Sequence, residues 1–432
     1  MSAYGLLDDA ARAASGGALG RYVDVAERRT AATRLYALQH ACVALSCAAA
    51  ALAFHTTGGA RAFLATLVIA AGSLGGVGAS GSSLSVEREW TKALCGDDAD
   101  ALATLNARMR AVDLSCLLLA PIGAAALLQF AGPVVGVLCF AVYNAVAYWP
   151  ECRLLAAAQH AAPALQQPRV TAQPQPSAAP APEVTAPASP LNGLRDAWAV
   201  YASQPVFPAA FALALLYLTV LSLGFLMTAY LHWRGVSDVT ISIFRAFGAA
   251  TGLAATVAFP PAARRVPLPT LGAAAIAFQL AWLLIGVLPT ALSAAPSTPL
   301  LRLLMAGIAL SRFGLWATDL ACSQLLQDGV APEQLGTVNG VQGALCAALE
   351  MCSFLAGLLV HRYERFNVLM LASCVSVATA TAILARFAWT HAARLDGAPN
   401  TEEDAGAEQM HLLAPELDPP LPPPLPEQVA LS

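Results

Sequence analysis

The chain has 432 residues, 57% of them hydrophobic and 12% charged, with a mean hydropathy of +0.61. A soluble domain carries about 25% charged residues, so half that share excludes an ordinary soluble globule and predicts an all-α polytopic membrane protein in a lipid bilayer. The formal net charge of −4 argues against a nucleic-acid partner. Lys92 is the only lysine, so the basic residues are nearly all arginine.

Residues 3–20 are rich in Ala, Leu and Gly but interrupted by Asp8, Asp9 and Arg12, so they form a weak first span and not a signal peptide. A spanning helix needs about 20 mostly apolar residues. Ten segments meet that near 35–57, 62–84, 112–130, 133–152, 206–232, 239–260, 267–293, 299–322, 335–360 and 366–390. Between 160 and 190 the chain turns Pro-, Ala- and Gln-rich without a helical period, which predicts a disordered linker. The end, "APELDPPLPPPLPEQ", predicts a disordered tail; capture by an SH3- or WW-type partner is the weaker reading. The expected parts are a helical bundle over 1–158, a linker over 159–193, a six-helix bundle over 194–390 and a tail over 391–432.

Basic residues gather in alternate loops: Arg21, Arg28, Arg29 and Arg34, then Arg88, Lys92, Arg108 and Arg110, then Arg153, Arg169 and Arg195, then Arg264 and Arg265. Positive-inside bias makes those loops and the linker cytoplasmic, with "HRYERF" at 361–366 as a local exception. Two bundles joined by a long central linker resemble the major facilitator superfamily. With about 11 spans the N-terminus would lie outside and the C-terminus inside.

Several stretches carry chemistry. "GRYVDVAERR" resembles that superfamily's G-x-x-x-D-R-x-G-R-R loop through Gly20, Asp24, Arg28 and Arg29, and is read as a cytoplasmic gate over a plain basic loop. Residues 85–113 place Glu87, Arg88, Glu89, Arg110 and Asp113 between two spans, as a salt-bridge lattice or a solvated loop helix. Asn144 and Glu151 stand two turns apart on one helical face, and Gln39 lies in another span beside His40. Intramembrane carboxylates are costly and mark function by default, and Gln, Asn and Glu oxygens suit a hard cation. A hydrated Glu151 at the cytoplasmic end is an equal alternative. Residues 217–237 offer Gly224, where a helix could unwind, then Met227 and Thr228. Glu350, Met351, Cys352 and Ser353 lie deep in a span, with the soft Met351 and Cys352 read first as core. In "SRFGLWATDLACSQLLQDGV", Arg312 and Asp319 lie about 10 Å apart along one face, too far for a mutual pair. Asp319 is expected to meet a base of the first bundle, while Gln324 and Gln327 cap the exit.

The chain is similar to the ferroportin family, solute carrier family 40, in its plant-type branch. "EREWTKALCGDDADALATLNARMRAVDLSCLLLAP", "LRDAWAVYASQPVFPAAFALALLYLTVLS" and "GLWATDLACSQLLQDGVAPEQLGTVNGVQ" carry the resemblance, which covers roughly residues 3–390 without the linker. It implies export of a divalent transition metal by alternating access: Fe2+ first, Co2+ or Ni2+ behind it. It also implies a Ca2+ site of animal members that falls on Gln39, Asn144 and Glu151. Asp24, Arg28, Arg88, Glu89, Arg110, Asp113, Arg312 and Asp319 then fall on inner-gate charges.

There are departures. The first residues align with the family's second helix, so a first helix that supplies a metal-binding aspartate is missing. The animal acid–cysteine pair falls on Gly224 and Phe225, so control by a hepcidin-type hormone is not expected. The histidine of a second metal site falls on Ser353, beside the surviving Glu350. A family arginine falls on Leu335. The expected metal-site residues are therefore Gln39, Asn144, Glu151, Thr228, Glu350 and Cys352. No resident cofactor and no enzyme activity are expected, and a monomer in a plasma, vacuolar or other organellar membrane is. A transporter of another substrate, or a non-transporting truncated paralogue, are the alternatives.

Overall fold

The structure is a computed structural model that describes residues 2–167, 190–293, 295–360 and 363–396; of the predicted linker (159–193) and tail (391–432), residues 168–189 and 397–432 lie outside the described residues, while the described ends of both are mostly helical. The described residues up to Ala388 pack as one compact unit, and those from Trp389 onward are grouped apart from it. Among the described residues the secondary structure is helical throughout, in fifteen α-helices and two short irregular ones. The first part contains α1 (Ser2–Val25), α2 (Arg28–Ala53), α3 (Gly58–Ser83), α4 (Thr91–Cys95), α5 (Ala99–Ala131), α6 (Pro133–Ala161) and α7 (Pro163–Gln166). The second contains α8 (Pro190–Ala202), α9 (Phe207–Leu215), α10 (Phe225–Trp233), α11 (Asp238–Ala263), α12 (Leu268–Ala291), α13 (Thr298–Gly329), α14 (Leu335–Leu359) and α15 (Phe366–Asp396).

Nine described helices are long and apolar enough to cross a membrane. α1 has the length, at 24 residues, and misses that standard because of its charges. The predicted span over 206–232 is split into α9 and α10. Each is nine residues, about 13 Å at 1.5 Å per residue, so together they match a bilayer core of about 30 Å. α8 meets α9 at 111° and buries Ala197 and Tyr201 while leaving Leu194 and Trp198 exposed.

Several boundaries differ from the sequence reading for local reasons. The charged stretch 85–113 is helical apart from a break at Gly96–Asp98. α3 runs on as a wide π-turn over Leu84–Trp90, and α5 starts at Ala99 because Asp98 caps it, accepting a hydrogen bond from the Ala101 amide at 2.9 Å. The turn between α5 and α6 is a single glycine, Gly132, whose φ of 81° favours a residue without a Cβ; Pro133 then opens α6. α6 extends to Ala161, past the predicted linker start.

The break at 216–224 exposes backbone groups that a membrane interior cannot hydrate, and side chains satisfy them. Ser373 Oγ accepts from the Val220 amide at 3.0 Å, and Ser376 donates to the Leu215 carbonyl at 2.8 Å. Arg312 donates to the Leu221 carbonyl, and Arg245 donates twice to the Leu223 carbonyl, at 3.0 and 2.8 Å.

Packing defines two bundles. α2 packs on α3 and α6, and α1 on α3; α12 and α11 pack on α13. The main apolar core lies in the second bundle, around Leu221, Met227, Tyr230, Ile276, Leu304 and Met370. The bundles meet along two seams, α1 against α14 and α5 against α11.

Candidate functional site

The α1–α14 seam is built from small residues. Gly16 and Gly20 of α1 face Gly340 and Gly336 of α14, and a Cβ on any of the four would strike the partner helix's backbone. At the end bearing the arginine-rich turns, Asp24 reaches across and caps α14. Its carboxylate accepts from the Gly336 amide at 2.6 Å, the Thr337 amide at 2.7 Å and the Thr337 hydroxyl at 2.6 Å. A helix N-terminus presents unpaired N–H groups and a partial positive charge, so this carboxylate is well placed.

A ring of polar contacts closes the same end. Arg110 of α5 lies 2.7 Å from Asp319 of α13, whose side chain is only 6% exposed, with Trp316 beneath the guanidinium at 5.1 Å. Asn106 donates to Gln327 at 2.6 Å, and Gln327 donates to Thr91 Oγ1 at 3.0 Å. Gln324 donates to the Ala99 carbonyl at 2.9 Å, and Lys92 pairs with Asp328 at 2.8 Å. Within the first bundle, Arg28 pairs with Glu89 at 2.5 Å and donates to the Gln167 carbonyl at 2.8 Å.

Outward of this ring lies a cavity of about 290 Å³ between the bundles, with Arg12, Glu87, Arg88, Arg110, Asp319 and Glu350 on its wall. Tyr217, just past α9, and Cys346 also line it. Among the described residues, no three His, Cys, Asp or Glu side chains are arranged to hold a metal ion.

The residues expected from the sequence divide accordingly. Asp24, Arg28, Glu89, Arg110 and Asp319 stand in the closed ring, and Arg88 lines the cavity. Asp113 lies 3.4 Å from Arg110 at the edge. Arg312, expected among the gate charges, donates to the Leu221 carbonyl and braces the break in its own bundle.

The six expected metal residues do not come together. His40 lies between Asn144 and Glu151, with Nδ1 at 3.2 Å from Asn144 Oδ1 and Nε2 at 2.7 Å from Glu151 Oε2. The Gln39 carbonyl accepts from Ser82 at 3.0 Å. Thr228 accepts from Arg245 at 3.0 Å in the other bundle, and Cys352 is exposed beside the buried Ser353. Of the six, Glu350 alone lines the cavity.

Sequence reasoning missed Asn106, the pairing role of Lys92, and the cluster of Asp8, Asp9 and Arg12. The signal for the last was present, three charges inside an otherwise apolar helix, but it reads equally as a poor span.

The described residues thus form an all-α membrane protein with the two-bundle fold of the major facilitator type, a charged cavity lying between its halves and closed at one end. Its relatives give the family. A profile described as Ferroportin1 (FPN1) matches residues 1–377. Solute carrier family 40 member 1 of Oryza sativa subsp. japonica is 33% identical over 88% of this chain and 81% of that protein. Ferroportin of Homo sapiens is 26% identical over 74% of this chain and 72% of its own. The chain belongs to the ferroportin family. Crystal structures of a bacterial homologue of the iron transporter ferroportin share the fold. The outward-facing state with soaked iron has a TM-score of 0.74 at 23% identity, covering 89% of each chain. The inward-facing state has a TM-score of 0.59 at 24% identity, covering 90% of this chain and 89% of that one.

Proposed function

We propose that the protein exports a divalent transition metal by alternating access, with Fe2+ as first cargo and Co2+ or Ni2+ behind it. The observation that carries this is the cavity between the bundles, whose wall holds the acids Glu87, Asp319 and Glu350 while one end is shut by pairs drawn from both bundles. The names of the relatives support the choice of metal. The shut end carries the basic turns, so positive-inside bias makes it cytoplasmic and this conformation open to the other side. The two bundles are taken as residues 1–158 and 194–390.

The mechanism follows from the contacts. The inner ring stabilises the outward-open state because its buried charges are paired only when the bundles meet. Asp24 on the α14 N-terminus, Arg110 on Asp319 and Lys92 on Asp328 must separate for the cavity to open inward. A cation that binds between the bundles offsets that loss only through a higher affinity for the states that follow. Glu350 is the cavity acid best placed to meet it, on α14 outward of the ring. His40 holds the oxygens of Asn144 and Glu151, so a Ca2+ ion there would first have to displace the imidazole.

Efflux of Fe2+, Co2+ and Ni2+ from loaded cells expressing the full chain tests the reading. Export of at least one metal above the vector control is expected; retention of all three at the control rate contradicts it.

A further inference from the structure

The outer half of the α1–α14 seam carries charge where its inner half carries glycine. Asp9, Gly16 and Gly20 share one face of α1, since seven and eleven residues are close to whole numbers of turns. Gly20 opposes Gly336 and Gly16 opposes Gly340, so the helices run antiparallel and Asp9 falls opposite the turn around Ala347. Glu350 follows less than one turn further out on α14. It lies within electrostatic reach of Asp9, Arg12 and Asp8, and it lines the same cavity as Arg12.

Three observations set this cluster apart from a structural ion pair. Arg12 is shared: its Nη2 bonds Asp9 Oδ1 and lies 3.1 Å from Asp8 Oδ2. Asp9 is 2% exposed, yet its Oδ2 has no hydrogen-bond partner, and neither does the buried Oδ1 of Asp8. Glu350 has no ion pair among the described residues. Two carboxylates share one guanidinium and a third, Glu350, lies within electrostatic reach of it, so acids outnumber the base by two in this cluster. Buried acids are retained where they are paired or neutralised, and one divalent cation would balance this deficit. Carboxylate oxygens favour the harder end of the divalent series, Mn2+ and Fe2+ among the transition metals.

We propose that Asp8, Asp9 and Glu350 form the cargo site for a divalent cation, and that Arg12 is a tethered cation occupying it between cargoes. This rests on the export reading above. Among the described residues the carboxylates do not form a coordination sphere; the guanidinium takes an oxygen from each aspartate and shares the cavity wall with Glu350. Cargo binding moves Arg12 off the aspartates and draws Glu350 toward α1, which ties the ion to both bundles. Release is then assisted by the return of Arg12, a competitor that needs no diffusion. By population arithmetic, a resident competitor lowers apparent affinity by the fraction of protein in which it is engaged.

Equilibrium binding of Mn2+ and Co2+ to the purified full chain, followed by uptake into proteoliposomes, tests this. Asp9→Asn and Glu350→Gln should each weaken binding by about tenfold or more, since losing even an outer-shell partner of a metal ligand costs about that much. Arg12→Gln should tighten binding several-fold and slow cargo release, a gain that a misfolded protein cannot mimic. Each variant is compared as a monodisperse peak of unchanged elution. If Asp9→Asn and Glu350→Gln bind and transport like wild type, or Arg12→Gln weakens binding as the acid variants do, the site is wrong while the export reading stands. If the wild type neither binds nor transports any metal, the export reading falls with it.

Discussion

The two ends of the α1–α14 seam use opposite means. At the inner end backbone meets backbone over Gly16, Gly20, Gly336 and Gly340, and Asp24 finds three donors on α14. At the outer end α1 holds Asp8 and Asp9, each with an unsatisfied oxygen, on one shared arginine, and α14 holds Glu350 within electrostatic reach of them. The inner end is complete and gains nothing from a ligand. The outer end is incomplete and balanced only by a cation. On the proposed mechanism one seam combines a latch with a vacancy of charge, and loosening the first accompanies filling the second.

The comparison can be broken most severely at the inner ring. Asp319→Asn leaves Arg110 buried opposite an uncharged amide, and removing one partner of a buried pair costs about 3–5 kcal/mol. Thermal unfolding in detergent should drop accordingly, and Arg110→Met in the same chain should recover part of the loss. A loss well below about 3 kcal/mol would mean that water already screens the pair.

Gly336→Leu attacks the close approach itself. Overpacking costs about 1–3 kcal/mol, and here it should also wedge the latch open, so that residues of the inner ring react with water-soluble thiol reagents once replaced by cysteine. Unchanged protection would show that the seam adapts. Asp24→Ala removes the cap on α14, an effect of about 0.5–2 kcal/mol; its distinguishing result is a faster inner opening without loss of the fold, read by the same labelling.

The smallest effect lies at the turn between α1 and α2. The Thr30 hydroxyl, by donating to Glu27, holds its carboxyl below the ordinary carboxylate range. A depressed folded pKa adds stability that is present above the unfolded pKa and is lost as pH falls through the folded one. Acidification through that window should therefore destabilise wild type slightly more than Glu27→Gln, in matched thermal melts.

How much of this was legible in the sequence follows from the kind of interaction. Hydropathy located the spans because burial in lipid depends on composition summed over a window. The unwinding near Gly224 was foreseen as a possibility, but its position depended on Arg312, Arg245, Ser373 and Ser376, which come from other helices. Asp319 needed a base of the first bundle, and that need was readable; that Arg110 answers it was not, because the choice depends on how α5 meets α13. In the expected cation set one side chain intervenes. Gln39, Asn144 and Glu151 offer oxygens at plausible spacing, and His40, the neighbour of Gln39, takes two of the three groups. Asp8, Asp9 and Arg12 were visible as interruptions, but only the α1–α14 register brings Glu350 to them.

The most direct test is Fe2+ entry into proteoliposomes that hold a fluorescent chelator, for wild type and Asp24→Asn side by side. The account predicts saturable quenching with wild type and an altered rate with Asp24→Asn, whose latch on α14 is weakened. Quenching by wild type no faster than in protein-free vesicles would contradict it.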